Sequence, residues 1–190
     1  MPKKALIVVD MQNDFCPGGA LAVPNGDEVI QPINQLVDDY LSNGEVVVYT
    51  KDHHPRDHVS FAENDPDGIW PPHCVQETTG WEFRKGLNVK GPTFLKGFLT
   101  EKDSYSGFGG HIEADMKAQS LEAYLKAQGV EDVTVVGLAL DYCVKSTAID
   151  AHNLGFQSTI LLDGTRAVNV NPEDGDKAVE EIKALGINVK

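Results

Sequence analysis

Apolar residues along this chain follow two alternating periods. At 6–9, 46–50, 133–136 and 159–162 they form short, often β-branched runs without polar alternation, the pattern of strands covered on both faces. Over 28–41, 114–128, 142–153 and 172–185 they recur at helical spacing. In the first of these, Val29, Ile33, Leu36, Val37 and Tyr40 fall to one side. Asn43-Gly44, Gly129, Gly155 and Gly186 follow the four segments, where a left-handed residue ends a helix. The alternation predicts a mainly parallel sheet with helices on both faces, a three-layer αβα sandwich. The stretch from about 55 to 106 breaks the pattern: it is rich in Pro, Gly, His and Trp and poor in periodicity. Long irregular stretches inside compact domains are usually functional, so it reads as an insertion within a single domain spanning 1–190.

In open α/β sheets ligands bind outside the carboxyl ends of the strands, so residues just past each strand converge. Here those positions carry chemistry. The run 6–9 leads into Asp10, 46–50 into Asp52 and His54, and 93–95, a further short strand, into Lys96; 133–136 leads to the turn carrying Cys143. Cys143 opens a helical segment, where unpaired N–H groups favour a thiolate, but a free cysteine is as often an inert small hydrophobe. A lone aspartate after a strand often only closes a turn. Lys96 sits between Leu95 and Gly97-Phe98, and a lysine buried in such surroundings requires a carboxylate partner. Asp10 can supply it, and a lysine beside a thiol is expected to lower the thiol pKa.

Asp52 and His54 are two apart, so on an extended segment they share a face. His73 follows Pro71-Pro72, which stiffens the backbone. Two imidazoles and a carboxylate suit zinc, iron(II) or manganese and leave coordination positions open, as in catalytic rather than structural sites. Asp-x-His is a short pattern, and scattered surface histidines are the alternative. His58 is either a further ligand, a hydrogen-bonding neighbour of one, or solvent-exposed.

Composition narrows the partners. The chain of 190 residues is 41% hydrophobic and has a formal net charge of −13, enough for one substantial core and unfavourable for nucleic acid. A small uncharged substrate fits better. No apolar stretch approaches the roughly 20 residues of a membrane span. The first apolar run is cut by Asp10 and reads as a strand, not a signal peptide. Three cysteines, Cys16, Cys74 and Cys143, make an odd, sparse set that fits a reducing compartment, with the cytoplasm as the default.

Six motifs in order carry a resemblance: Val-Val-Asp-Met-Gln-Asn-Asp-Phe at 8–15, Thr-Lys-Asp-His-His-Pro at 50–55, Trp-Pro-Pro-His-Cys-Val at 70–75, Phe-Leu-Lys-Gly at 94–97, Asp-Ser-Tyr-Ser-Gly-Phe at 103–108 and Gly-Leu-Ala-Leu-Asp-Tyr-Cys-Val at 137–144. Over nearly its whole length the chain resembles the nicotinamidases, a branch of the isochorismatase-like cysteine hydrolases. The resemblance implies that fold and the conversion of nicotinamide and water to nicotinate and ammonia, with pyrazinamide as a second substrate. It places Asp10, Lys96 and Cys143 as the catalytic triad and Asp52, His54 and His73 as ligands of one divalent metal, zinc before iron or manganese. It implies a cis peptide at Leu138-Ala139 and an oxyanion hole of the Ala139 and Cys143 N–H groups. Phe15, Trp70 and Tyr105 match positions that surround the pyridine ring; all three also fit as core aromatics. The fourth protein contact to the metal varies in that family, which leaves His58 and Ser60 open, as is assembly into a homo-oligomer. Two other readings stand beside this one. A related hydrolase could act on isochorismate or an N-carbamoyl compound, or a non-catalytic redox protein could use Cys143 and Cys74 as sensing thiols.

Overall fold

The computed structural model describes residues 2–115 and 119–190. Seven strands form one sheet: β1 (Lys3–Val9), β2 (Val46–Asp52), β3 (Thr93–Lys96), β4 (His111–Ile112), β5 (Val130–Leu138), β6 (Gln157–Arg166) and β7 (Asn188–Val189). Their order is β4-β3-β2-β1-β5-β6-β7, and every neighbouring pair is parallel except β3 with β4. The helices are α1 (Ile30–Ser42), α2 (Leu121–Ala127), α3 (Lys145–Asn153) and α4 (Asp174–Ala184).

The central strand β1 shows why the sandwich forms. Ala5, Ile7 and Val9 pack into a core with Leu121 and Leu125 of α2, Ala148 and Ala151 of α3 and Ile182 of α4. Leu6 and Val8 point the other way, into a core with Ile33 and Val37 of α1. Successive strand side chains alternate faces, so a continuous apolar run is what a strand sandwiched between two helical layers requires. All seven residues of β2 are likewise buried. Each fully buried Leu, Ile or Val contributes about 1.5–3 kcal/mol, which makes these two strands the anchor of the fold.

The predicted strands and helices are present, with shifted bounds. Gly44, Gly129, Gly155 and Gly186 all adopt positive φ behind their helices. β6 is only partly buried, and Leu162 is exposed. The helix expected over 114–128 is shorter. Ala114 and Asp115 lie outside any helix, 116–118 lie outside the described residues, and α2 begins behind Ser120, whose hydroxyl accepts from the Ala123 N–H at 3.2 Å. This N-cap sets the start. The segment expected from 142 opens with a wider π turn over Leu140–Val144 before α3. Between 53 and 92 the chain makes isolated bridges and one short 3₁₀ turn, Thr79–Trp81. Among the described residues no helix is long and apolar enough to cross a membrane, and all three cysteines are free and buried.

Candidate active site and metal centre

β3, β2, β1 and β5 are consecutive in the sheet, and the carboxyl end of each delivers one reactive group to the same place. Lys96 ends β3 and pairs in register with Asp52, which ends β2. Asp10 follows β1 in the left-handed region, φ 48°, a conformation aspartate tolerates better than most residues. Cys143 lies in the π turn after β5. The peptide Leu138-Ala139, between β5 and that turn, is cis, as the resemblance implies.

Lys96 holds the group together. Its side chain is fully buried, and the ammonium donates to Asp52 Oδ1. It lies 2.9 Å from Asp10 Oδ2, 3.2 Å from the Ser104 carbonyl and 3.4 Å from Cys143 Sγ. The Thr50 hydroxyl donates to Asp10 Oδ1 at 2.6 Å. Burial alone would lower the Lys96 pKa, but Asp10 and Asp52 outweigh it and hold the ammonium charged well above its ordinary range. Asp52 responds oppositely: burial raises its pKa, but Lys96, His54 and His73 pull it well below the usual carboxylate range. At Asp10 burial wins over Lys96, and the pKa is raised.

The thiol departs from the sequence expectation. Lys96 does lower the Cys143 pKa, but burial is the larger effect and Asp10 and Asp52 add to it, so the thiol stands well above its ordinary range. A thiol in this site keeps its proton until a base removes it.

Beside this cluster, Asp52, His54 and His73 place one ligand atom each within 4.8 Å of the others, all three residues buried. Asp52 Oδ2 is 3.5 Å from His54 Nε2 and 3.8 Å from His73 Nε2. His54 Nδ1 pairs with the Gly97 carbonyl and His73 Nδ1 with the Pro71 carbonyl, both at 2.8 Å. A ring N–H spent on a carbonyl leaves the other nitrogen as a neutral lone pair aimed at the centre. The donor set and spacing therefore fit a divalent cation with bonds of about 2 Å. Asp52 serves both groups, one oxygen to Lys96 and the other to the histidines.

His58 is fully buried, contrary to the solvent-exposed alternative. Its Nδ1 meets the Ser60 hydroxyl at 2.8 Å and the Ser60 N–H at 3.2 Å, and Nε2 meets the Lys102 carbonyl at 3.3 Å. Both ring nitrogens are engaged, although its ring packs against His54 with centroids 4.1 Å apart.

Cys143, Ala139, the three candidate ligands, Phe15, Trp70 and Tyr105 all line one pocket. Trp70 Nε1 donates to the Tyr105 hydroxyl at 3.0 Å, and both rings pack against Tyr142. Phe15 sits 5.5 Å from the His73 ring. The structure thus brings together every site residue expected from sequence. It adds Tyr142 and Asp103 to the wall, where Ser60 also lies, and Thr50 and Gln12 behind it. Tyr142 and Gln12 stand inside the quoted motifs, beside Cys143 and Asp10, and that adjacency was the only available signal for them.

Gly97 is required twice over. Its φ is +63°, and a Cβ there would lie 2.5 Å from His54 Cε1. Gly97→Ala is expected to cost about 1–2 kcal/mol from the backbone alone and to push the His54 ring off the Gly97 carbonyl. Urea unfolding together with the His54 imidazole NMR signals checks both, and an unmoved ring with unchanged stability would refute the packing argument.

The isochorismatase domain matches residues 4–189. The nicotinamidase of Escherichia coli K12 is 40% identical over 201 residues, covering 98% of this chain and 93% of that protein. The nicotinamidase/pyrazinamidase of Mycobacterium tuberculosis H37Rv is 39% identical over 193 residues, covering 98% and 97%. The pyrazinamidase of Pyrococcus horikoshii, solved in complex with zinc, superposes with a TM-score of 0.88 at 41% identity, covering 100% of this chain and 99% of that one. Sharing its fold, its length and about two residues in five with these proteins, the chain belongs to the isochorismatase-domain family and, within it, to the nicotinamidases.

Proposed function

We propose that this protein is a metal-containing cysteine amidohydrolase that converts nicotinamide and water to nicotinate and ammonia through a thioester on Cys143. The observation that carries the reading is a pocket where Cys143, an Asp-His-His donor set and an aromatic wall meet, with Lys96 and Asp10 buried behind the thiol.

Each step uses a group whose state the site sets. Asp10, with its pKa raised by burial, takes the Cys143 proton while Lys96 keeps the pair oriented. The sulfur bonds to the carboxamide carbon, and the carbonyl electron pair moves onto oxygen. The N–H groups of Ala139 and Cys143 receive that oxyanion; in other hydrolases one such donor is worth roughly 3–4 kcal/mol. The C–N bond breaks, and ammonia leaves with the proton held by Asp10. Water then gives a proton to Asp10 and attacks the thioester; the C–S bond breaks and the thiol regains its proton. Phe15, Trp70 and Tyr105 hold the ring, with Tyr142 packed against two of them. Asp52, His54 and His73 would hold one divalent ion, zinc in our reading, which supplies Lewis acidity and open coordination positions when bound. Three free cysteines support a reducing, cytoplasmic setting.

A related hydrolase acting on isochorismate would have to neutralise carboxylates. Among the described residues none that lines the pocket is Lys or Arg, and Lys96 behind the wall is already matched by two carboxylates, so a neutral amide fits better.

Ammonia release from nicotinamide, measured before and after chelation and again after adding back single metals, tests the reading against isochorismate and N-carbamoyl substrates. Faster turnover of either rival would sink it. Cys143→Ala is expected to lower turnover at least about a thousand-fold with metal content intact. Asp10→Asn separates base from charge. Turnover should fall about a hundred-fold or more, but removing a carboxylate that raises the thiol pKa should speed iodoacetamide alkylation of Cys143 at neutral pH. Slower alkylation would reverse the assigned sign. His54→Ala and His73→Ala should each lower the bound metal seen by elemental analysis, whereas unchanged stoichiometry would refute the ligand set.

A further inference from the structure

Asp52 carries two duties on one carboxylate, so small movements of its backbone reach both the Lys96 cluster and the metal donors. Along β2 the main-chain groups of Thr50 and Asp52 point toward the β1 side. Thr50 is satisfied there, its carbonyl accepting from the Asp10 N–H at 3.2 Å. At Asp52 no strand remains, because β1 ends at Val9 and the chain turns at Asp10.

The Gln12 side chain fills that place. Its Oε1 accepts from the Asp52 N–H at 2.8 Å, and its Nε2 donates to the Asp52 carbonyl at 2.9 Å and to the Trp81 carbonyl at 2.9 Å. The residue is fully buried, and its own N–H donates to the Asp10 carbonyl at 2.7 Å. A primary amide has one acceptor oxygen and two N–H donors, and each finds a matching main-chain partner here. Rotating the amide by half a turn would set donor against donor and acceptor against acceptor. Gln12 thus reproduces, with a side chain, the rung a neighbouring strand would have given.

We infer that Gln12 is a positioning residue for the metal centre, fixing the Asp52 backbone so that its two carboxylate oxygens meet Lys96 and the two histidines at once. The inference rests on the assignment of Asp52, His54 and His73 as ligands, which the metal counts of the histidine variants test separately. Groups that orient a ligand are typically worth ten- to a hundred-fold in metal affinity.

The experiment titrates zinc into apoprotein against a chromophoric chelator, without any substrate. Gln12→Met keeps the side-chain length and removes all three hydrogen bonds; zinc affinity is expected to fall roughly ten- to a hundred-fold. Asn34→Ala is the control. Asn34 makes the same two-way amide clamp away from the site, donating to the Gly86 carbonyl at 2.7 Å and accepting from the Asn88 N–H at 2.8 Å. Its loss should leave zinc affinity within about two-fold. If Gln12→Met lacks the native circular dichroism, Gln12→Glu, which keeps the acceptor and loses both donors, carries the same expectation. Affinity within about two-fold of the parent in a folded Gln12 variant overturns the inference. So does equal weakening in Asn34→Ala. Failure of both Gln12 variants to fold overturns it too, by assigning Gln12 to folding instead.

Discussion

The ammonium of Lys96 is the constraint around which the site is built. A fully buried charge is tolerable only when opposite charge and hydrogen bonds surround it, and removing one partner of such a pair typically costs about 3–5 kcal/mol. Lys96 obtains those partners from neighbouring strands: Asp52 from β2 and Asp10 from the end of β1. Strands in a sheet lie about 4.8 Å apart, so a long side chain from β3 passes Asp52 on β2 and reaches Asp10, with Cys143 beyond β1 at the head of β5. The order β3-β2-β1-β5 is therefore a condition of the chemistry as well as of the core. The same requirement ties the metal donors to the thiol, because the carboxylate that neutralises Lys96 on one oxygen faces His54 and His73 with the other.

Much of this was legible in the chain, for a physical reason. A strand buried on both faces must be apolar throughout, so β1 and β2 announce themselves, and the polar residues at which they stop are those that leave the core at the ligand-binding edge. Asp10, Asp52 and Lys96 were found that way. Features that depend on single hydrogen bonds were not. The start of α2 is set by the Ser120 cap, and the short antiparallel β4 carries too few residues for any period. Gln12 reads as an ordinary polar residue after a strand; only the departure of β1 makes its amide a substitute for backbone. The sequence leaves His58 open between ligand, neighbour of a ligand and exposed side chain, and its engagement by Ser60 and Lys102 appears only in three dimensions.

The thiol shows where pairwise reasoning from sequence fails. A lysine near a cysteine lowers its pKa when the lysine's charge is unspent. Here two carboxylates share that charge, and burial acts on the thiol as well. The pKa values of Asp10 and Cys143 are thus both shifted upward, which makes Asp10 a stronger base beside a thiol that keeps its proton. Such a site stores no standing thiolate to be oxidised or alkylated at rest. It makes the nucleophile when a substrate carbonyl is in place to receive the electron pair, which suits an acid–base partner better than a permanent counter-ion.

The same charge arrangement bears on how the proposed reaction ends. Nicotinamide is neutral, and the pocket offers it aromatic faces and, among the described residues, no free cation. Nicotinate is an anion formed beside Asp52 and Asp103, both in the pocket wall, while Lys96 is already matched by two carboxylates. Charge repulsion between like groups in a partly dry pocket is far stronger than in water. Hydrolysis would therefore set the product anion beside carboxylates, and a divalent cation held by Asp52, His54 and His73 would be the group that offsets them. In this arrangement Asp52 acts on a product anion as it acts on Lys96, its charge felt only as far as the cations beside it leave it unmatched.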